Sequence, residues 1–232
     1  MSFVTQHPIN KRWPAANPDI LQLYSFPTAN GVKASIMLEE TGLPYEAHKV
    51  TLADADVQSP EFLALNPNNK IPAIIDPNGP DGAPITLFES GAILIYLAEK
   101  TGQLLGNNAT TRMHIIQWLM FQMGGVGPMF GQLGYFNKFA GAQIEDPRPR
   151  ERYINEAKRL LNVLNQQLAG QDWIVGDYSI ADIALAPWLG QLDFYEASDK
   201  VGITDFPNIT AYVERFMARP AVQKGRITPP RD

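Results

Sequence analysis

Asn66-Pro67-Asn68-Asn69-Lys70-Ile71-Pro72-Ala73-Ile74-Ile75-Asp76, followed about a dozen residues on by Phe88-Glu89-Ser90-Gly91-Ala92-Ile93, is the stretch that decides the fold of this 232-residue chain. Only X-Pro bonds carry a small cis penalty, and an Ile-Pro just before the short apolar run Ala73 to Ile75 is a natural site for a cis peptide at the entry of a strand. Such a bond turns the backbone of Ile71 outward, with its N–H and C=O available to an extended peptide. Glu89-Ser90 then opens an apolar helical stretch, Ile93, Leu94 and Leu97, where a hydroxyl and free N–H groups meet the positive end of the helix dipole. Together the two features predict a pocket for a small anionic peptide.

Working outward, Ile20 to Tyr24 has the composition of a strand, Ser25 to Gly31 that of a turn, and Val32 to Thr41 a helical apolar spacing ending at Gly42. Tyr45 to Leu52 reads as a second strand and Pro60 to Leu65 as a short helix. Ala73 to Asp76 and Ile85 to Phe88 read as two strands joined by a Gly/Pro-rich turn, and the helix from Ser90 to Lys100 closes this half at Gly102. Ahead of it, residues 1–18 carry Pro8, Pro14 and Pro18 around Trp13 and form an extension without regular period.

From about Thr110 the strand signals stop. Helical patterns cover Met113 to about Phe139, Arg150 to Leu168, Ser179 to Glu196 and Pro207 to Arg219, which places a boundary near Leu105 to Asn108. The expected organisation is an extension over 1–18, an α/β domain over 19–104 and an all-helical domain over 110–232. Ser179-Ile180-Ala181-Asp182 has the form of a capping box, with Tyr178 and Ile183 placed for a hydrophobic staple. Gly124-Gly125-Val126-Gly127-Pro128 interrupts the first long helix and predicts a kink there.

The formal net charge of -5 leaves no basic stripe, and the one dense basic run, Arg148 to Arg152, contains a proline and a glutamate; nucleic acid is not an expected partner. The opening residues lack a charged segment followed by an apolar one, and no apolar run reaches spanning length, so no membrane partner and a cytoplasmic location are expected. The chain has no cysteine, which excludes disulfide scaffolds, thiolate metal sites and a protein-borne thiol nucleophile. His7, His48 and His114 lack metal-ligand spacing, and no metal is expected. Sulfur chemistry here would need a ligand that supplies the sulfur.

Taken in order, Leu23-Tyr24-Ser25, Thr28-Ala29-Asn30-Gly31, Pro67 to Ile74, Leu87 to Lys100, Gln117-Trp118-Leu119, Gly124 to Gly131 and Arg219-Pro220-Ala221-Val222 resemble the cytosolic glutathione transferases. Within them the match is to the nu-class branch, the bacterial glutathione-dependent disulfide-bond reductases and their fungal relatives, over about residues 20 to 226. The resemblance implies a thioredoxin-like N-terminal domain (βαβαββα, a mixed four-stranded sheet), an all-α C-terminal domain, a homodimer, and glutathione as bound co-substrate, one or two per subunit. Carried over by position, it implies that the Ile71 backbone pairs with the cysteinyl part of glutathione, that Glu89 and Ser90 hold the γ-glutamyl end, that Lys70 lies near the glycyl carboxylate, and that Arg152 reaches ligand carboxylate from the helical domain. Thr28 and Asn30 match the pair that addresses the sulfur. Where close relatives carry a glutamine, this chain has Val57, with Gln58 one residue later.

Chemically, a thiolate is stabilised over its thiol by hydrogen-bond donors, each contributing about 1.5–3 kcal/mol when directed at charge. The Thr28 hydroxyl, an Asn30 donor and the start of the Val32 helix supply such donors. Thr28 and Asn30 also have the residue types of an ordinary turn and helix cap. Tyr24 reads as a packed strand residue, and Ser25 stands as the alternative hydroxyl for the sulfur. The function implied is glutathione-dependent disulfide reduction; a conjugating transferase acting on carbon electrophiles and a non-enzymatic binding module are the alternatives. The complete set Thr28, Asn30, Ile71, Glu89 and Ser90 speaks against the last.

Overall fold

The computed structural model describes residues 2–231 and divides into two units, Met1–Gln103 with Pro220–Asp232, and Leu104–Arg219. In unit 1, β1 (Leu21–Ser25) runs parallel to β2 (Tyr45–Lys49) and antiparallel to β3 (Ala73–Asp76), which is antiparallel to β4 (Ile85–Phe88). The order is β2-β1-β3-β4. The two central strands are buried along their whole length, polar Gln22, Ser25 and Asp76 included, whereas β2 and β4 are edge strands with half-exposed residues.

Helices α1 (Gly31–Thr41) and α2 (Ser90–Thr101) pack on one another and on the central strands. Leu23 and Ile74 from the sheet, Ile36, Met37 and Leu38 from α1 and Ile93, Leu94 and Leu97 from α2 are all essentially excluded from water. Each such side chain contributes about 1.5–3 kcal/mol of transfer free energy. The other face of the sheet carries Tyr24, Ala73 and Ile75 in one cluster with Val50, Val57, Phe62 and Leu65.

That second cluster also contains Val4 and Ile9, so the extension is built into the domain. Residues Phe3–Gln6 and Pro8–Lys11 form two short helical turns, where the prolines had pointed to irregular chain. The Trp13 indole donates to the Lys49 carbonyl (2.9 Å), the amides of Ala16 and Asn17 donate to the Glu46 carboxylate, and Arg12 pairs with Asp56 (2.5 Å). The turns owe their order to Val4 and Ile9, two isolated apolar residues too few to show a period in sequence.

Unit 2 is helical: α3 (Ala109–Phe121), α4 (Gly127–Gly134), α5 (Arg148–Gln167), α6 (Ile180–Leu189) and α7 (Pro207–Met217). The glycine run between α3 and α4 widens the helix into a π-turn over Gln122–Val126, and a second π-turn follows at Tyr135–Phe139. Helix α6 stops at Gly190, short of the expected Glu196. The capping box at its head forms as the spacing predicts.

The last helix, α8 (Pro220–Gly225), corrects the expected span of the helical domain, 110–232, because residues 220–232 cluster with unit 1. It lies against α1: the Ser35 hydroxyl donates to the Gly225 carbonyl (2.7 Å), Lys224 pairs with Glu39 (2.8 Å), and a Cβ on Gly225 would stand 2.6 Å from the Ile36 Cα. Only glycine permits that approach.

Candidate active site

The strand register gathers the residues of unit 1 singled out in the sequence. Tyr24 pairs with Ala73 and Ala73 with Phe88, so the end of β1, the start of β3 and the end of β4 meet at one edge of the sheet. The Phe26–Asn30 loop, Lys70-Ile71-Pro72 and Glu89-Ser90 all leave from that edge. Crevices outside the carboxyl ends of strands are where α/β sheets bind ligands.

The loop after β1 is fixed by its own backbone. A Cβ on Gly31 would fall 1.9 Å from the Phe26 carbonyl oxygen, so the first residue of α1 must be glycine. Thr28 is the true cap of this helix. Its carbonyl accepts from the Val32 N–H (3.0 Å) and its hydroxyl oxygen accepts from the Gly31 N–H (3.1 Å). With the oxygen engaged as an acceptor, the hydroxyl proton is left to donate away from the helix. Asn30 already has helical dihedrals and makes no side-chain cap hydrogen bond.

Ser25 and Tyr24 do not share this position. Ser25 is fully buried and its hydroxyl donates to the Gly31 carbonyl (3.1 Å). The Tyr24 ring is fully buried and stacks on His48 at 4.6 Å, burial drives its hydroxyl well above the usual phenol range, and among the described residues that hydroxyl has no hydrogen-bond partner. Both are parts of the sheet.

Across the edge, the Ile71-Pro72 bond is cis, as its sequence position predicts. The segment before it is shaped by Asn66, a residue that the sequence reading did not single out: its buried side chain donates to the Lys70 carbonyl (2.5 Å) and accepts from the Asn68 N–H (2.9 Å). Among the described residues the N–H and C=O of Ile71 have no hydrogen-bond partner, although its side chain is buried in the core cluster. Lys70 is exposed.

Glu89 stands at φ 71° and ψ 111°, in a region that costs a non-glycine residue about 1–3 kcal/mol. Its side chain is exposed and Ser90 behind it is buried. The Ser90 hydroxyl oxygen accepts from the Nζ of Lys33, a fully buried lysine in the first turn of α1, at 3.2 Å. Burial brings the Lys33 ammonium down to about 7, against the opposing pull of the Glu89 carboxylate. Lys33 was missed in the sequence, and its signal was there: it occupies the same helical stripe as Ile36 and Met37, three and four residues on, where an amphipathic pattern calls for an apolar side chain.

Arg152 lies in unit 2, on the exposed side of α5. It lines a cavity of about 730 Å³ with Met129, Arg148, Tyr153, Asn155, Glu156 and Arg159. Arg148 is paired with Asp146 (2.6 Å) and Arg159 with Glu156 (2.7 Å). Arg152 has no ion pair among the described residues. Val57, at the position where a glutamine had been expected, is packed in the core cluster, and Gln58 is exposed. No group of three or more potential metal ligands occurs among the described residues, and no helix there is long and apolar enough to cross a membrane.

Comparison with known proteins gives concordant matches. Residues 20–99 match the family described as "Glutathione S-transferase, N-terminal domain" and residues 132–220 the corresponding C-terminal domain. The disulfide-bond oxidoreductase YfcG of Escherichia coli K12 is 45% identical over 204 residues, 87% of this chain and 92% of that protein. A glutathione transferase from Burkholderia graminis, solved with two glutathione molecules per subunit, is 63% identical with a TM-score of 0.97, covering 100% of this chain and 98% of that one. One from Pseudomonas putida, solved with one glutathione disulfide per subunit, is 56% identical with a TM-score of 0.96, covering 99% and 100%.

Proposed function

Because this chain belongs to the glutathione S-transferase family, with its thioredoxin-like and helical domains, we propose that it is a glutathione-dependent disulfide-bond reductase. The observation that carries this reading is the absence of cysteine from a chain 45% identical to a disulfide-bond oxidoreductase. Every sulfur in the exchange must then come from bound glutathione or from the substrate.

The reaction balances with two glutathiones. The first, as thiolate, attacks one sulfur of an external disulfide, forming a mixed disulfide and releasing one substrate thiolate, which takes up a proton. A second glutathione thiolate attacks the glutathione sulfur of the mixed disulfide, giving glutathione disulfide and the second substrate thiol. Two electrons pass from the glutathione pair to the substrate. The relatives solved with two glutathiones and with glutathione disulfide hold the reductant and the product of such a sequence.

In this reading Thr28 donates its outward hydroxyl proton to the thiolate and Asn30 supplies the second donor. The unpaired Ile71 main chain binds the cysteinyl unit as an added strand. Glu89 and Ser90 hold the γ-glutamyl amine and carboxylate, Lys70 the glycyl carboxylate, and Arg152 ligand carboxylate. The chain works as a homodimer on small-molecule disulfides; Met113 and Met120, exposed seven residues apart on α3, give that helix an apolar outer stripe. Light scattering of the purified protein tests the dimer.

Turnover of the purified protein with glutathione and either a small dialkyl disulfide or a chloronitrobenzene tests the activity. Rapid disulfide reduction, slowed in Thr28→Ala, is the expected result. Preferential arylation would move the protein to the conjugating class, and binding of glutathione without turnover of either acceptor would make it a binding module.

A further inference from the structure

We propose that Arg231, in the segment that follows α8, is a positioning residue for the reaction: it fixes the Pro27–Thr28 peptide and, through it, the direction in which the Thr28 hydroxyl meets the glutathione sulfur. The proposal rests on the reading of Thr28 as a donor to the thiolate.

The peptide unit between Pro27 and Thr28 is held at both of its ends. Its N–H, that of Thr28, donates to the Phe26 carbonyl (2.7 Å), and its C=O, that of Pro27, accepts from Nη2 of Arg231 (2.9 Å). The first of these bonds closes a tight turn centred on Pro27, which brings no N–H of its own. Such a turn directs the carbonyl of its central residue away from the bond that closes it, so a donor for that carbonyl comes from elsewhere in the fold. Rotation of this peptide plane changes ψ of Pro27 and φ of Thr28 together, and φ of Thr28 sets where its side chain points. The far side of the loop is already fixed by Gly31 and by the Thr28 cap. The Pro27 carbonyl is therefore the point at which an outside group has leverage on Thr28.

Arg231 is held in place for this contact. Its own carbonyl accepts from the Nζ of Lys49 at the end of β2 (3.0 Å), and its guanidinium lies over the Phe26 ring, 5.8 Å from the centroid. A planar guanidinium can rest a face on a ring while an edge donates to a carbonyl. Phe26 in turn packs on the core cluster that contains Tyr24 and Ile71. Upstream, the segment leaves Gly225, which is locked against Ile36 of α1; the Thr228 N–H donates to the Gly225 carbonyl (3.2 Å), its hydroxyl donates to the Lys224 carbonyl (3.0 Å), and Pro229 is buried. The segment thus runs from the flank of α1 to the loop that leads into α1. Arg231 itself is exposed, and one hydrogen bond from an exposed side chain adds little to global stability. What this bond adds is a set orientation at the peptide ahead of Thr28.

Absorbance titration of the bound glutathione thiolate, with steady-state turnover of a dialkyl disulfide, tests the role in wild type, Arg231→Ala, Thr28→Ala and the double variant. Arg231→Ala is expected to lower kcat/KM roughly 3- to 10-fold and to raise the pKa of the bound thiol, while S-methylglutathione, which has no thiol proton, binds within about twofold of wild type. In the Thr28→Ala background the same substitution should change turnover by less than about twofold, because the group it positions is gone. An equal fall in both backgrounds, or an unchanged thiol pKa in Arg231→Ala, would overturn the role of Arg231 and leave Thr28 as the donor. A parallel loss of S-methylglutathione affinity would do the same, since the segment would then be building the pocket as a whole. A thiol pKa unmoved by Thr28→Ala would overturn the reading of Thr28 and this proposal with it.

Discussion

Lys33 in unit 1 and Asp182 in unit 2 are both buried ionisable residues at the start of a helix, and they are surrounded in opposite ways. Asp182 accepts from the Ile174 N–H (3.0 Å), the Ser179 N–H (2.9 Å), the Ser179 hydroxyl (3.1 Å) and the Tyr212 hydroxyl (3.1 Å). Its negative charge also stands where a helix dipole favours it. Lys33 has the opposite sign to the one a helix start favours, and its ammonium donates to the Ser90 hydroxyl oxygen (3.2 Å). A buried charge whose partners all belong to the fold serves the fold.

The comparison is broken most directly at Asp182. Replacing it with alanine strands two buried N–H groups and the Tyr212 hydroxyl, and about 3 kcal/mol of stability should be lost in urea denaturation. A loss below about 1 kcal/mol would mean that the network is not what secures the head of α6.

Thr28→Ala probes the other kind of helix start. It should lower kcat/KM for disulfide reduction by roughly 10- to 100-fold, the kinetic equivalent of one charge-directed hydrogen bond. Loss of the cap should cost only about 1 kcal/mol in stability. Absorbance titration of bound glutathione thiolate should show its pKa rising in the variant. A stability loss without a kinetic effect would place Thr28 with Asp182 among purely structural caps.

The pH dependence of stability should have opposite signs at the two sites. Burial lowers Lys33 to about 7, below its unfolded value, so the unfolded chain binds more protons above that pH, and this residue's contribution to stability rises from about pH 7 to 10.5. Burial raises Asp182 to about 6 despite its hydrogen bonds, so the native state binds more protons there, and its contribution falls between about pH 4 and 6 and is constant above. Lys33→Met should therefore gain about 1–3 kcal/mol over wild type near pH 6, with the gain shrinking as pH rises. A gain that does not change between about pH 7 and 10 would show that the buried amine keeps its proton in the native state as it does in the unfolded chain.

A surface pair sets the lower end of the scale. Arg12→Ala removes a partly exposed partner of Asp56 in the extension and should cost less than about 1 kcal/mol in the same denaturation experiment. A larger loss would mean that the extension is held by its charges more than by Val4 and Ile9.

Much of the fold was legible because its signals are local. The apolar runs of β1 and β3, the Ile71-Pro72 bond, the Glu89-Ser90 helix start and the Ser179 to Asp182 box each fit within a few residues. The extension escaped because two apolar residues make no period, and the docking of α8 escaped because a helix long after the last strand carries no mark of the partner it packs on. At the site, Thr28, Ile71 and Glu89-Ser90 were legible as motif residues. Lys33 was not, because a lysine in a helix ordinarily reads as a solvated side chain.

The sequence by itself determined the order of strands and helices, the helix starts and the need for an external sulfur, since these follow from spacing, residue type and the lack of cysteine. Tertiary structure alone decided that the Ser25 hydroxyl is buried against the Gly31 carbonyl while the half-buried Thr28 caps α1, and that Lys33 and Ser90, 57 positions apart, touch. Burial and long-range contact are properties of packed surfaces. A side chain acquires them only when strands distant in sequence come into register.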